Sequence, residues 1–268
     1  MAGTPTNIPN SPLQSNTSPS TLNIWEQNVN KSSICQHELI SSTKLAKRGI
    51  DLVALQEPAI NHFGLTVASR EWIPVYPSTH GFDPHKTCSI FLLRTNILTD
   101  QWRQIDFPSG DVTVIQLNGE WGQTTIYNIY NDCAKNDTIQ QLEAFTRSTK
   151  SNSVDGSTPM ETTVWLGDFN RHHPHWDDPN DTRLFTQSAL NDAEILINAV
   201  AEAGLEMALP SGTPTHIHNV TKQWTRLDQV FISEEALDMV IACEVLADTP
   251  GINTDHIPIL TTLDLELT

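Results

Sequence analysis

The chain has 268 residues, of which 38% are hydrophobic, and carries a formal net charge of −17 with an isoelectric point near 4.8. This composition excludes an intrinsically disordered protein and supplies enough apolar side chains for one substantial core. The acidic charge argues against tight binding to nucleic acid through a broadly basic surface, because phosphate contacts dominate that binding. It does not argue against phosphodiester chemistry.

The first residues differ in composition from the rest of the chain. Residues 1–21 are rich in Ser, Thr, Pro and Asn, which predicts a disordered tail because such a segment buries too little apolar surface to fold. Residues 22–268 are predicted to form a single domain. The chain contains neither an apolar stretch long enough to span a bilayer nor a secretory signal at its start, so we expect no membrane partner.

Strands and helices are interleaved in the rest of the chain. Three segments have the periodicity and the capping or stop residues of helices: residues 33–48, 137–150 and a helix that starts at residue 191 and ends before Gly204. Apolar runs and alternating patterns predict strands at residues 22–25, 50–55, 88–93, 112–117, 124–130, 162–166, 229–232, 240–246 and 257–265. Residues 151–159 read as a polar loop. The small number of crossover helices favours mixed sheets over a fully parallel sheet.

The four cysteines are scattered along the chain, without CxxC spacing. This pattern argues against both a zinc site and a disulfide framework. It favours buried free thiols in a reducing compartment.

Polar clusters stand at or just after the ends of predicted strands, where α/β folds assemble their sites. The clusters are Asn28-Val29-Asn30, Gln56-Glu57-Pro58, Tyr130-Asn131, Gly167-Asp168-Phe169-Asn170, Arg226-Leu227-Asp228 and Asp255-His256.

Taken singly, each cluster has a functional and a structural interpretation. Glu57 follows a buried strand, where a hard cation such as Mg²⁺ would offset the cost of a carboxylate, although a solvated strand end explains it equally well. Asp168 and Asn170 would face one substrate from an extended backbone, yet Gly, Asp and Asn are also common in tight turns.

The segment near the C-terminus has the same ambiguity. Asp255 is a candidate metal ligand beside His256, and Asp228 is a candidate to orient the imidazole and favour its charged form. A cationic His256 would stabilise negative charge on a phosphate. An isolated Asp-His pair is more often a surface dipeptide.

Together, and in this order, the clusters resemble the endonuclease/exonuclease/phosphatase superfamily, also called DNase I-like, and most of all the endonuclease domain of non-LTR (LINE-type) retrotransposons. The resemblance runs from about Leu22 to the C-terminus. It implies a four-layer α/β sandwich of two mixed β-sheets flanked by helices, and a metal-dependent phosphodiesterase.

The resemblance also implies roles for individual residues. Glu57 resembles the principal metal ligand, with Asn28 and Asp255 as further residues of the metal region. The implied metal is Mg²⁺, with Mn²⁺ as a substitute. Asp168 resembles the residue that aligns or deprotonates the attacking water, and Asp228 the partner of the catalytic histidine. Three residues resemble those that contact the scissile phosphate: Tyr130, Asn170 and His256.

Two features separate the chain from repair enzymes of the superfamily. Asn30 stands where repair enzymes tend to carry Asp, and residues 171–176 (Arg-His-His-Pro-His-Trp) resemble those of retroelement enzymes. That segment is otherwise read as a structured loop in which Trp176 packs and the histidines are solvated. Trp224 and Arg226 are candidates for nucleic-acid contact, but packing of Trp224 and pairing of Arg226 with acids is the favoured interpretation.

The sequence therefore predicts a Mg²⁺-dependent DNA-nicking endonuclease whose nick leaves a 3′-hydroxyl that primes reverse transcription. Its expected partners are DNA, a divalent metal and a reverse transcriptase encoded by the same element, and its expected location is the nucleus. Two alternatives stay open. One is a hydrolase of the same fold that acts on a nucleotide, phosphoinositide or phospholipid, and the other is an inactive, element-derived binding domain.

Overall fold

A computed structural model of the chain describes residues 21–67, 69–152 and 161–267. The predicted tail lies outside the described residues except for Thr21, which begins the first strand. Most of the predicted loop at residues 151–159 also lies outside them, because the third helix extends to Asn152 and the description resumes at Glu161.

Two six-stranded sheets dominate the fold. The first has the strand order β13-β14-β1-β2-β4-β3. Its strands are β1 (Thr21–Asn28), β2 (Leu52–Gln56), β3 (Trp72–Val75), β4 (Ser89–Arg94), β13 (Val240–Val245) and β14 (Ile259–Asp264). The second has the order β5-β6-β7-β8-β12-β9. Its strands are β5 (Trp102–Ile105), β6 (Val112–Gly119), β7 (Gly122–Tyr130), β8 (Glu161–Asp168), β9 (Leu205–Met207) and β12 (Asp228–Ser233). A separate hairpin joins β10 (His216–Ile217) to β11 (Trp224–Thr225).

Both sheets are mixed. Strands β1 and β2 are parallel, as are β7 and β8, whereas the other pairs within the described residues are antiparallel. The parallel pairs matter for function, because parallel strands end at the same edge of a sheet. They bring the carboxyl ends of four strands to one edge of the molecule.

The main core lies between the two sheets. Side chains such as Ile24 and Phe91 from the first sheet pack with Ile126, Val164 and Val230 from the second, and all five are fully buried. Burial of each such side chain contributes about 1.5–3 kcal/mol relative to exposure.

Helices cover the outer faces of the sandwich. Buried residues of α1 (Ser33–Ser41) and α2 (Thr43–Lys47) pack with the outer side chains of the first sheet. Those of α3 (Asp137–Asn152) and α4 (Gln187–Ala203) pack with the outer side chains of the second sheet. The predicted α/β sandwich of two mixed sheets flanked by helices is confirmed.

Two helix boundaries differ from the sequence prediction. The helix predicted at residues 33–48 is broken at Ser42, whose extended backbone lets its hydroxyl donate to the Leu39 carbonyl and accept from the Lys44 N–H. Serine competes with helical hydrogen bonds in this way. Helix α4 begins at Gln187 rather than at residue 191, because Thr186 caps it by accepting from the Ala189 N–H.

The cysteines are free, as their spacing predicted, but they are not uniformly buried: Cys35 is buried and Cys133 is exposed. Within the described residues, no helix has the length and the apolar character needed to cross a membrane.

Candidate active site

Side chains from both sheets meet at the edge where β1, β2, β7 and β8 end and β12 begins; we call this the site edge. Asp168, at the end of β8, stands directly opposite Asp228, at the start of the antiparallel β12. Tyr130 is the register partner of Asp168 on β7. Asn28 ends β1 in the other sheet, and its Nδ2 donates to Asp168 Oδ2 at 2.9 Å, which ties the two sheets together at this edge.

His256 is held tightly by Asp228. Its Nδ1 lies 3.0 and 2.9 Å from the two Asp228 oxygens, and both side chains are buried. Burial alone would lower the pKa of His256, but Asp228, followed by Asp168 and Asp255, raises it to about 10. The imidazole is therefore positively charged at neutral pH, with Nδ1–H directed at Asp228 and Nε2–H left to face the site.

Asp168 lies on the other side of His256. Its Oδ2 is 3.8 Å from His256 Nε2, and its Oδ1 accepts the Asn170 backbone N–H at 3.0 Å. Burial raises the pKa of Asp168 to about 7, even though His256 acts in the opposite direction. A carboxyl group that titrates near neutral pH is suited to accept a proton from water.

A buried carboxyl group that the sequence interpretation missed lies beneath this pair. Glu26 on β1 is almost completely buried, and its pKa is raised well above the ordinary value by burial and by Asp228 and Asp168. Burial and the two neighbouring carboxylates therefore favour the neutral form of Glu26, because a third charge beside Asp228 and Asp168 would be costly. Glu26 lies within the apolar pattern of β1, and that pattern did not indicate that its carboxyl group lies beneath the site residues.

Glu57 follows β2 at the same edge. Its backbone N–H donates to the Cys88 carbonyl, and its carboxylate lies 3.4 Å from the Lys31 ammonium group. Val29, next to Asn28, donates its N–H to the Gln56 carbonyl, so the ends of β1 and β2 are joined directly. Glu57 thus directly follows Gln56, which is the register partner of Asn28.

Tyr130 faces both carboxylates. Burial raises the pKa of its phenol, and Glu57 and Asp168 raise it further. The hydroxyl group therefore stays protonated and is available as a hydrogen-bond donor at the site edge.

Asn170 is positioned by its neighbours rather than by a strand. Its Nδ2 donates one hydrogen to the Asn131 carbonyl at 2.9 Å, and the Asn131 amide in turn donates to the Phe169 carbonyl. An amide nitrogen carries two hydrogens, so the second remains for a ligand. The sequence singled out Asn131 only as the neighbour of Tyr130 and did not indicate that it positions Asn170.

Asp255 belongs to a neighbouring cluster. Its carboxylate lies 3.4 Å from His216 Nε2 and accepts from Asn219 Nδ2 at 2.8 Å. The rings of His216 and His256 are 4.9 Å apart. Because His216 lies on the β10–β11 hairpin, far from the strand ends that drew attention in the sequence, sequence reasoning missed it.

Unusual backbone conformations concentrate around the site edge. Six non-glycine residues among those described have positive φ angles, and five of them lie beside site residues: Asn30, Lys31, Glu57, Asn170 and Asn253. Asparagine adopts this conformation more readily than other residues, whereas for Lys31 and Glu57 it costs of order 1 kcal/mol or more. Such strain is commonly found at functional sites.

A family model described as "Endonuclease-reverse transcriptase" matches residues 124–260, which is half of the chain and includes most of β7 together with β8, β12 and His256. The chain belongs to the endonuclease-reverse transcriptase family. As a member of this family, the chain is a hydrolase of the DNase I-like superfamily, as the ordered clusters predicted. No curated protein sequence matches it.

Solved structures agree with this family fold. The endonuclease domain of TRAS1, a telomere-specific non-LTR retrotransposon, is 17% identical and has a TM-score of 0.67, over 90% of this chain and 98% of that one. The AP endonuclease LMAP from Leishmania major is 13% identical with a TM-score of 0.68, over 96% and 92%. The 3′ phosphatase NExo from Neisseria, bound to product DNA hairpin, is 17% identical with a TM-score of 0.63, over 91% and 99%.

The donors at the site edge of this endonuclease-reverse transcriptase family member fit a divalent cation. Two sets of three described side chains bring one ligand atom each within 4.8 Å of one another: Asp168, Asp228 and His256, and also His216, Asp255 and His256. Glu57 stands outside both sets and has the Lys31 ammonium group as its counter-charge. A hard cation binds with one or two carboxylates, supplemented by waters and phosphate, and Glu57 supplies one carboxylate at the site edge.

The loop after Asn170 is structured. Trp176 is buried and its Nε1–H donates to the Arg171 carbonyl at 2.9 Å, while Asp177 accepts from the backbone N–H groups of His173 and Arg226. Packing of Trp176 therefore agrees with the structural interpretation of this loop.

The favoured interpretation of the two candidates for nucleic-acid contact agrees only in part with the structure. Arg226 interacts electrostatically with Asp177, Asp228 and Glu26. The buried Arg226 guanidinium donates to the carbonyls of Trp176, Pro210 and Leu209 rather than to acids. Trp224 keeps 48% of its surface exposed.

Proposed function

We propose that this chain is a Mg²⁺-dependent DNA-nicking endonuclease of the retrotransposon type, with Mn²⁺ as a substitute metal. The observation that carries the proposal is the arrangement of Asp228, a positively charged His256 and Asp168, in which Asp168 also bonds Asn28 from the opposite sheet. It offers a proton acceptor and a cationic proton donor on adjacent sides of a space at the site edge.

In the proposed reaction, Asp168 orients a water molecule and accepts its proton as the water attacks the phosphorus in line with the leaving oxygen. Its pKa of about 7 suits this task near neutral pH. His256 donates through Nε2–H to a phosphate oxygen, and Asp228 holds the imidazole in the charged form.

The remaining site residues position the phosphate. Tyr130 and the free hydrogen of the Asn170 amide donate to its oxygens. Glu57 and Asn28 would hold the metal, which would neutralise phosphate charge and stabilise the leaving oxygen when bound. Asp255, the third residue expected in the metal region, lies instead with His216 and Asn219.

DNA as the substrate is supported by the relatives. The matched family is named for an endonuclease joined to a reverse transcriptase, and the similar structures include a retrotransposon endonuclease and an AP endonuclease. On this basis we also propose a reverse transcriptase of the same element as partner, the nucleus as location, and residues 22–268 as the catalytic domain. The product would be a nicked strand with a 3′-hydroxyl group.

The test is conversion of supercoiled plasmid to open circles by the purified chain, with Mg²⁺ and with chelator. The variants are Glu57→Gln and His256→Ala, and the matched control is Glu235→Gln, an exposed acid on a distant 3₁₀ helix. We expect metal-dependent nicking that drops by at least about 10²-fold in both site variants and is unchanged in the control.

Intact plasmid at every metal and salt concentration would refute DNA nicking. Turnover of a nucleotide or phospholipid diester by the same preparation, abolished by the same two substitutions, would then assign a small phosphodiester substrate. Metal and DNA binding without any turnover would indicate an inactive binding domain.

A further inference from the structure

Three side chains beside the proposed catalytic pair converge on one point. They are His216 on the β10–β11 hairpin, and Asp255 and His256 just before β14. One ligand atom from each lies within 4.8 Å of the other two, and the histidines keep only 9% and 7% of their surface exposed. Mg²⁺ prefers oxygen donors, whereas two imidazole nitrogens with one carboxylate suit zinc and similar transition metals.

The spacing of two of these donors matches that of metal ligands. His216 Nε2 lies 3.4 Å from Asp255 Oδ2, which is longer than an ordinary hydrogen bond between nitrogen and oxygen. Zinc binds imidazole nitrogen and carboxylate oxygen at about 2.0–2.1 Å, so two ligands of a tetrahedral ion are about 3.3 Å apart. The pair therefore has the separation of two zinc ligands.

Both imidazole rings are oriented by a partner at the other nitrogen. His256 Nδ1 lies 2.9 Å from Asp228 Oδ2. His216 Nδ1 lies 2.9 Å from Thr225 Oγ1. In each ring Nε2 is therefore the nitrogen left for a ligand. Metal-binding histidines are normally held in this way, by a carboxylate or another hydrogen-bonding group behind the ring.

The carboxylate of the set is also held in place. Asp255 Oδ2 accepts from Asn219 Nδ2 at 2.8 Å, across the gap between the hairpin and the segment before β14. The backbones of these two segments are joined as well. The Ile217 N–H donates to the Asp255 carbonyl at 2.9 Å, and the Ile257 N–H donates to the Thr215 carbonyl at 2.7 Å. Donors that are already ordered lose less conformational freedom when they bind a ligand.

The charges around the point favour a cation. Asp168 Oδ2 lies 3.8 Å from His256 Nε2, and the carboxylates of Asp228 and Asp255 lie on other sides of the ring. These groups stabilise positive charge, whether it is carried by a protonated imidazole or by a metal ion. A metal ion binds the Nε2 lone pair, so the Nε2 proton must leave when it binds. A bound ion and the Nε2–H donor are therefore alternatives.

We propose that His216, Asp255 and His256 form a binding site for Zn²⁺, and that zinc bound there blocks nicking. The block rests on the proposed function, whereas zinc binding does not. Zinc at His256 Nε2 removes the N–H that donates to the scissile phosphate. Glu57, the proposed Mg²⁺ ligand, is not among the three residues, so the block does not require loss of Mg²⁺.

The first test measures metal binding by the purified chain without a histidine tag. Zn²⁺ is titrated by calorimetry in excess Mg²⁺, and Co²⁺ serves as an optical probe of nitrogen ligation. The variants are His216→Gln, which removes a ligand, and Thr225→Val, which keeps all three ligands but releases the His216 ring. The matched control is His218→Gln, an exposed histidine of the same hairpin outside the set.

We expect one zinc site in the unaltered chain and in the control. Zinc affinity should fall at least about 100-fold in His216→Gln, because a ligand is lost, and about 10-fold in Thr225→Val, because the ring is no longer oriented. Equal zinc affinity in the unaltered chain and both variants would overturn the proposed site.

The second test is plasmid nicking at constant Mg²⁺ with increasing Zn²⁺, scored for each protein against its own rate without zinc. The zinc concentration that halves the rate should rise in His216→Gln by the same factor as the dissociation constant. Nicking that persists when the site is saturated would overturn the block. Failure of the proposed function has a different signature. An absence of nicking at every metal concentration, with zinc binding that depends on His216, would refute the nuclease and support the zinc site.

Discussion

At the residue scale, the charge state of His256 depends on Asp228. Both Asp228 oxygens lie within 3.0 Å of His256 Nδ1, and this contact is the main influence that raises the imidazole pKa to about 10 against the effect of burial. Asp228 also raises the pKa of Asp168. One carboxylate therefore raises the pKa of both proposed proton-transfer groups, although burial is the largest influence on Asp168.

This coupling predicts the pH response of Asp228→Asn. Nicking should fall by about 10²-fold or more near pH 8, because His256 loses its charge. The deficit should shrink toward about pH 6, because the imidazole regains its proton there while Asp168 protonation slows the unaltered chain. The measurement is the nicking rate across this pH range, with Asp238→Asn, an exposed acid, as control. A deficit that stays constant across this pH range would show that Asp228 does not act by keeping His256 charged.

The same pKa shift predicts a pH-dependent stability. A histidine whose pKa rises on folding contributes stability that is complete below its unfolded value, about 6.5, and that is lost as the pH rises through the folded value of about 10. The difference in Tm between the unaltered chain and His256→Gln should therefore be largest below about pH 6.5, decline as the pH rises toward 10, and be largely lost above it. Exposed His62→Gln serves as control, and a difference that grows with pH would contradict the assignment.

Most residues of the site could be identified from the sequence, but the contacts between them could not. Ordered clusters singled out Asp168, Asp228 and His256, which the structure brings together. No spacing rule indicates that the Asn28 amide bonds Asp168, or that His216 approaches Asp255, because each contact joins segments far apart in the chain. The catalytic roles themselves stay predictions.

At the element scale, the end of β8 depends on one glycine. Gly167 has a φ of +140°, and a Cβ there would lie 1.9 Å from the Ile129 carbonyl oxygen of the parallel β7. This close approach sets the register in which Tyr130 and Asp168 stand side by side.

Gly167→Ala should therefore lower the free energy of unfolding by roughly 3 kcal/mol or more, because both the backbone conformation and the contact are unfavourable. Gly204→Ala is the matched control, since Gly204 has a φ of +72° but nothing within 4 Å of its Cβ. It should cost only about 1 kcal/mol. Urea unfolding measures the free energy of unfolding of both variants. Equal losses would mean that the contact with the Ile129 carbonyl does not add to the cost of a Cβ at position 167.

Strands with continuous apolar runs were predictable, and short edge strands were not. Strands β2, β6 and β8 are buried on both faces and stand out in the sequence. Strands β3, β5 and β9 lie at or next to sheet edges, span three or four residues and carry mixed burial, so local periodicity does not distinguish them from loops.

At the scale of the whole molecule, a net charge of −17 meets a polyanionic proposed substrate. Favourable contacts with DNA would then be limited to local cations such as Lys31, which lies beside Glu57. Few phosphates would therefore be neutralised on binding.

The expected result is a shallow salt dependence of DNA affinity. The slope of log K against log salt should be about −3 or smaller in magnitude at constant Mg²⁺, which corresponds to roughly three phosphates. Lys31→Gln should flatten it by about one further unit if Lys31 contacts a phosphate. A slope steeper than about −6 would mean that an extensive basic surface forms upon binding.

The pairing of β1 with β14 has a consequence for synthesis of the chain. The first described strand lies beside the last, and Thr254 and His256 bond Asn28 and Gln27 across more than 220 positions of sequence. Contacts of such separation form late, because a long loop must close before they stabilise anything. A nascent chain that still lacks β14 has neither the central pairing of its first sheet nor His256 in place. Under the proposed function, nicking would then arise only once translation has passed β14, and a chain interrupted before that point would leave DNA intact.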